Sequence, residues 1–191
     1  MLQFTMRCIR ARTYFLDKNL RIIVGMRLID FKFRIRIILE SFDVVALTVD
    51  EWIQLCNQEY SISKQLCVQN LCNHMIYIDQ NVITIQHNCE MVQMTMTNFK
   101  HLMHLKLCIS AHLDFLIEQE DFTNWKLGDI VSTCCNYLIV KGSPCNEENI
   151  KNELHLLCNK DEIGREIFGV YLDEVIRVIS LKTFPKHSVD L

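Results

Sequence analysis

The sequence predicts an α+β protein built from two tandem antiparallel β-meander-plus-helix modules, each ββββα, followed by a mainly helical C-terminal segment. Three observations carry this. Four strand-like patterns separated by turn signals lead to a helix-capping signal at Thr48. A fainter copy of that order follows 47 residues later. Beyond the acidic run Glu118-Gln119-Glu120-Asp121 the periodicity becomes helical. The expected modules span 1–60, 61–117 and 118–191. With half of its 191 residues apolar, the chain can bury a sizeable core, and its scarcity of Gly (5) and Pro (2) excludes low-complexity classes.

Residues 3–14 alternate as a strand, with Phe4, Met6, Cys8, Arg10 and Arg12 on one side. Asp17-Lys18-Asn19 turns the chain. Leu20 to Leu28 is β-rich, and Gly25 marks a bulge or bend. From Phe31 to Ile37, apolar Phe31, Phe33, Ile35 and Ile37 alternate with Lys32, Arg34 and Arg36. Ser41-Phe42-Asp43 turns again, and Val44 to Leu47 returns. Thr48 then caps a helix, with Glu51 completing a capping box and Trp52, Leu55 and Cys56 facing inward. The helix ends between Asn57 and Tyr60.

The second round reads as a strand at Gln65–Gln69, a hairpin of Met75–Asp79 and Val82–His87 around Gln80-Asn81, and a strand at Met91–Thr95. Thr97 is the expected cap of a helix running to about Leu116. At an offset of 47, Val45/Val92, Leu47/Met94, Thr48/Thr95, Trp52/Phe99, Leu55/Leu102, Ile35/Val82 and Ile38/Ile85 coincide. In the last third, Thr123 to Lys141 reads as a helix, and Tyr137-Leu138-Ile139-Val140 equally as a strand. Gly142-Ser143-Pro144 marks a boundary. Asn146 opens a helix to about Cys158, and Asp161 caps another to about Leu181 with Phe168, Leu172, Val175 and Ile179 on one stripe, before Pro185 closes the ordered part.

The net charge of −3 conceals an asymmetry: residues 1–40 carry +6 and the remainder −9. Two readings follow, an attraction for an anionic polymer or a partnership with the acidic remainder of the same fold. On an extended strand Lys32, Arg34 and Arg36 stand about 7 Å apart, near the reach between phosphates of a single strand. With Arg10 and Arg12 from a neighbouring strand they form the candidate nucleic-acid-binding set; the alternative is a solvated sheet face whose charges discourage edge pairing.

His101, His104, Cys108 and His112 share a helical stripe, but one straight helix rarely offers more than two or three ligands to one ion, so a core boundary is the preferred reading. Cys67/Cys72 and Cys134/Cys135 lack zinc-knuckle spacing. No nucleotide-binding glycine loop, nucleophile elbow or metalloprotease motif appears, so the expectation is a non-catalytic protein without a cofactor. The ten cysteines lie in apolar-patterned segments behind no signal-like stretch, and no run is long and apolar enough to span a bilayer; both point to an intracellular protein with reduced thiols.

Val45-Ala46-Leu47-Thr48-Val49-Asp50-Glu51-Trp52-Ile53-Gln54-Leu55, following strands with alternating Lys and Arg, resembles the strand-to-helix joint of the transcriptional coactivator p15 (PC4) C-terminal domain. The resemblance covers about residues 20–58 and, more loosely, 65–112. It implies four curved antiparallel strands and a helix, dimerisation through the helices, and binding of single-stranded or melted DNA, or RNA, across paired sheets. Trp52 and Leu55 would be structural, and Lys32, Arg34 and Arg36 would lie on the binding sheet. Two tandem copies would make the chain an internal pseudo-dimer, with a homodimer as the alternative, acting in the nucleus. The loop before the last strand is shorter than the family's basic, glycine-containing loop, the family's Ser/Lys-rich tail is absent, and the second copy has Phe99 for Trp52 and no basic strand at Val82 to His87. The competing expectation is an interaction protein on a degenerate version of this fold, contacting a protein partner through the C-terminal helices.

Overall fold

The computed structural model describes residues 7–141 (Lys141 by its backbone) and 146–183. The expected boundary at 142–144, the strand start at 3–6 and Pro185 lie outside them. The described residues form an α+β architecture with two antiparallel sheets. They divide into two compact units, 7–27 with 34–118, and 28–33 with 119–183.

The first sheet is a meander of β1 (Ile9–Phe15), β2 (Arg21–Ile29), β3 (Lys32–Glu40) and β4 (Val44–Leu47), in that spatial order. Asp30 and Phe31, both at positive φ, make the two-residue turn between β2 and β3. The bulge expected at Gly25 sits on the partner strand: the β1–β2 register shifts between Ile9 and Arg12, and Arg10 has φ 53°. A Cβ on Gly25 would come within 3.0 Å of Cys8 Cβ and Ile9 O, so this glycine makes room for the bulged strand.

Helix α1 (Val49–Asn57) opens with the expected capping box: Glu51 N donates to Thr48 Oγ1 at 3.2 Å and Thr48 N donates to Glu51 Oε2 at 3.0 Å. A short α2 (Glu59–Ser63) follows, unforeseen in the sequence. The second sheet has three strands, β5 (Met75–Asp79), β6 (Val82–His87) and β7 (Glu90–Thr95), not four. Gln65–Gln69 is not a strand, and Gln65 has φ 53°. Its backbone is engaged elsewhere: Gln69 N donates to Gln58 Oε1 at 2.7 Å, and Gln58 Nε2 donates to Gln69 O at 2.9 Å.

Helix α3 (Met96–Lys141) runs unbroken for 46 residues. The acidic run 118–121 does not interrupt it, nor does 137–140 form a strand. Glu, Gln and Asp carry modest helix penalties, whereas Gly or Pro would be needed to break it. Leu113, Leu116, Thr123, Leu127 and Ile130 continue a buried stripe past the charges. The cap is Thr95, two residues ahead of the expected Thr97: Asn98 N donates to Thr95 Oγ1 at 3.1 Å. That geometry repeats Thr48 with Glu51 at an offset of 47.

Val45 and Val92, Leu47 and Met94, Trp52 and Phe99, and Leu55 and Leu102 are all buried. The pairs Ile35/Val82 and Ile38/Ile85 do not correspond. Three residues separate β3 from β4 but only two separate β6 from β7, so β3 and β6 are in step at 46. Ile37 with Ile83 and Leu39 with Ile85 are the matching buried pairs.

Contacts within this unit are reciprocal between elements, helix residues 47 apart reaching the loops ahead of β5 and β2. Strand β4 packs on β7. Glu51 of α1 accepts from Asn73 N and His74 Nδ1, ahead of β5, and Asn98 of α3 donates to Asp17 Oδ2, ahead of β2. Gln54 Nε2 reaches Cys72 Sγ at 3.3 Å; His101 Nδ1 reaches Leu16 O at 3.3 Å. Glu59 and Lys106, 47 residues apart, pair with each other at 2.5 Å.

In the other unit, α4 (Glu147–Cys158) starts at its expected cap Asn146 and packs on α5 (Glu162–Thr183), capped by Asp161. The buried stripe of α5 is Ile163, Ile167, Tyr171, Val175, Ile176 and Ile179; Phe168 and Leu172 are only half-buried. The helix kinks at Tyr171, whose hydroxyl accepts from Leu28 N at 3.1 Å while its ring meets Phe33 edge-on at 5.6 Å. Asn124 brackets Phe33, its Oδ1 accepting from Phe33 N (2.7 Å) and its Nδ2 donating to Phe33 O (3.1 Å). No helix among the described residues is long and apolar enough to cross a membrane.

Candidate nucleic-acid interface

The faces of the first sheet follow from strand alternation. Ile37 pairs with Leu47 and Leu39 with Val45, all buried, on the inner face; Ile38, paired with Ala46, is buried on the outer face as well. Arg34, Arg36 and Glu40 alternate to the outer face. Glu40 Oε1 meets Arg21 Nη2 at 2.7 Å, so the odd residues of β2, Arg21 to Arg27, share that face. Strand β1 pairs Thr13 with Ile23 and Phe15 with Arg21, placing Thr13 and Phe15 outward as well.

The structure therefore brings together only part of the expected set. Arg34 is exposed and Arg36 half-buried, its Nη1 donating to Ile35 O at 2.8 Å. That bond occupies a carbonyl where β3 extends beyond β4 and so helps close the strand edge. Lys32 is exposed and belongs to the hairpin tip 28–33 of the other unit, beside the Phe33 anchor. Arg12 pairs with Val24 and so projects from the opposite face to Arg34 and Arg36. Arg10 sits in the bulge, half-buried, and its carbonyl accepts from His112 Nε2 at 3.0 Å. The two arginines of β1 therefore do not extend the basic row of β3. The cause is the inserted bulge residue, which breaks the alternation that would have kept β1 in phase.

Two residues escaped the sequence reading. Phe15 is 65% exposed on the outer face, an aromatic surface in the row of Arg21 and Glu40 with β2 between it and β3. Arg27 is half-buried on the same side of β2. The alternation Arg21, Ile23, Gly25, Arg27 was the signal that could have found it.

The outer face of the second sheet differs. Met75, Tyr77 and Asp79 on β5, Val82, Thr84 and Gln86 on β6, and Met91, Gln93 and Thr95 on β7 form it, with no Lys or Arg among them. In step at 46, Arg36 corresponds to Val82 and Arg34 to the turn residue Gln80. The shorter β5–β6 hairpin thus removes the positions that carry charge in the first sheet.

The histidine stripe does not converge. His101 and His104 are exposed, whereas His112 is buried, and among the described residues no three His, Cys, Asp or Glu side chains are placed to share a metal ion. Burial, aided by the nearby Arg12 charge, lowers the His112 pKa, and its bond to Arg10 O puts the proton of the neutral ring on Nε2. None of the described cysteines is disulfide-bonded. Burial pushes the thiols of Cys8, Cys56 and Cys158 up to about 11, so they are not poised as nucleophiles near neutral pH.

A cavity of about 470 Å³ opens where the turn Ser41–Asp43 meets β6 and β7. Its lining includes Leu20, Phe42 and Met91 with Asp17 and Asp43, and no cation, so it does not continue the basic face. Comparison with known proteins finds no match: no family model, no curated protein and no solved structure corresponds to this chain.

Proposed function

We propose that the chain is a non-catalytic, single-stranded nucleic-acid-binding protein of the coactivator p15 type, acting in the nucleus, in which two meander–helix halves stand as a pseudo-dimer within one polypeptide. The observation that carries the binding reading is the Arg34–Arg36 row on an outer face shared with exposed Phe15. Cations at strand spacing suit a phosphodiester backbone, and an exposed ring suits a base. The reciprocal contacts support the pseudo-dimer. In a twofold assembly residue i meets j′ as j meets i′, and a residue meets its own mate on the axis. The first relation holds between elements, α1 meeting the loop ahead of β5 through Glu51 and Asn73 and α3 the loop ahead of β2 through Asn98 and Asp17, and Glu59 with Lys106 has the second.

The test is a titration of a fluorescent single-stranded oligonucleotide at several salt concentrations. Binding should weaken steeply with salt. Changing Arg34 and Arg36 together to Ala should lower the magnitude of the log–log salt slope by about 1.4, at ~0.7 per lost phosphate contact. An absence of binding at low salt would sink the reading.

A second reading, an interaction protein, is favoured by one feature of α3. Phe122 and Trp125 stack at 5.7 Å while 50% and 61% exposed. Exposed paired aromatics are common anchors of protein contacts. On this reading deletion of residues 143–191 dissociates an oligomer seen by light scattering, and Trp125→Ala weakens it by at least about tenfold, the usual scale of an interface anchor. A monomer before and after would exclude self-assembly.

A further inference from the structure

We propose that residues Gln65–Gln69 are a latent fourth strand of the second sheet, able to dock on the outer edge of β5 and held off it by Gln58. The four-stranded sheet shows what belongs there. Its β1 enters β2 through the loop 16–20, in which Asp17 N donates to Leu20 O at 3.3 Å. Fifty-four residues on, the loop 70–74 has the same length before β5, and Leu71 N donates to His74 O at 2.9 Å. The loop that joins β1 to β2 is therefore present in the second half. The strand that should precede it is not paired.

The edge is prepared for a strand. Ile76 N donates to Asn70 Oδ1 at 3.1 Å, so it points away from β6, and the amide of Ile78, two residues on, points the same way. Strand β5 has no proline and no Lys or Arg to protect that edge.

The β1–β2 register, moved by 54, sets Val68 opposite Ile76, Leu66 opposite Ile78, Cys67 opposite Tyr77 and Gln69 opposite Met75. Leu66 and Val68 would then join the inner face beside Ile76 and Ile78, and the polar Gln65, Cys67 and Gln69 would face outward. That is the binary pattern a half-buried strand requires. In the undocked state the same residues are poorly used: Leu66 is 53% exposed and Gln65 is held at φ 53°. The restraint is the double hydrogen bond between the Gln58 side chain and the Gln69 backbone. Docking removes it and closes the β5 edge; undocking reopens the edge.

The register supplies the test. Residues 67 and 77 would form a non-hydrogen-bonded pair, whose Cα separation of about 4.5 Å lies in the range a disulfide spans. In Tyr77→Cys, oxidised glutathione should produce a 67–77 disulfide as the main new bond in peptide mass mapping. Adding Gln58→Ala should speed its formation about fivefold, the equivalent of one net hydrogen bond. In the chain without new cysteines, Gln58→Ala should slow hydrogen exchange at Ile78. Indiscriminate pairing of the introduced thiol with Cys72 and Cys89, or Ile78 exchanging at the same rate with and without Gln58, would overturn the proposal.

Discussion

Glu51→Gln will destabilise the protein by about 3 kcal/mol at neutral pH, the scale of breaking a buried ionic hydrogen-bond network by removing one partner. Glu51 is 1% exposed, and both of its oxygens are engaged. Oε2 accepts from Thr48 N at 3.0 Å and Thr48 Oγ1 at 3.1 Å, and Oε1 accepts from Asn73 N at 2.9 Å and His74 Nδ1 at 2.9 Å. The one carboxylate caps α1 and fixes the loop that leads into β5. Gln keeps the shape but presents an NH₂ to at least one donor, leaving two donors face to face. Burial by itself would raise the Glu51 pKa, but the hydrogen bonds from Thr48, His74 and Asn73 outweigh it and hold it down to about 2, from 4.5. Because the folded value lies below the unfolded one, the contribution is complete above about pH 4.5 and drains away as pH falls toward about 2. Urea unfolding at pH 7, 4 and 3 should therefore show a gap between wild type and Glu51→Gln that narrows with acid. A gap independent of pH would mean that the carboxylate is not ionised in the fold.

How much of this was legible in the sequence varies with the range of the interaction responsible. The Thr48–Glu51 capping box, the Gln80-Asn81 turn and the caps at Asn146 and Asp161 depend on residues within four positions of each other, and all are present. The alternation of β3 was legible for the same reason, and with it the outward position of Arg34. What Arg10 and Arg12 do was not legible. Their facing depends on one inserted residue at positive φ, and nothing in Arg-Ala-Arg announces it. The segment Gln65–Gln69 has a strand's pattern, yet Gln58, 11 residues before Gln69, takes the Gln69 backbone. The long hairpin tip also escaped. Phe33 reads as one more buried strand residue, but its anchors, Asn124 and Tyr171, lie more than 90 positions downstream. The likeness of the two strand-to-helix joints was visible, and Trp52 and Phe99 are both buried there. It was misaligned in β6 because a turn shortened by one residue changes the step from 47 to 46 without leaving a mark in composition.

The two glycines of α5 should respond to the same substitution with opposite signs. In an exposed helix interior Gly→Ala gains about 1 kcal/mol, since alanine loses less backbone freedom on folding. Gly169 meets that description: it is exposed, and a Cβ there finds no neighbour within 4 Å. Gly164 does not. A Cβ there would lie 2.5 Å from Cys158 O and 3.0 Å from Cys158 Cα. Those are backbone atoms at the end of α4, so no rotamer change relieves the overlap, and the α4–α5 junction must open. The junction is also tied from a third element. Gly164 N donates to Asp161 Oδ1 at 2.7 Å, and Lys126 of α3 pairs with Asp161 Oδ2 at 2.6 Å. Burial would raise the Asp161 pKa, but Lys126 and the Gly164 amide hold it below the usual carboxylate range, so the carboxylate that gathers α3 and α5 is charged at neutral pH. Moving Gly164 away from Cys158 strains that arrangement as well as the packing. The overlap should cost about 3 kcal/mol before the helix-propensity gain, leaving a net loss of about 2 kcal/mol. In thermal melts this corresponds to Gly164→Ala falling by about 4–8 °C and Gly169→Ala rising by about 2–4 °C, at the size scaling expected for a chain of this length. Gly164→Ser should fall at least as far as Gly164→Ala, because its Cβ meets the same carbonyl. Equal shifts at positions 164 and 169 would show that α4 and α5 do not approach as closely as the Cys158–Gly164 contact requires.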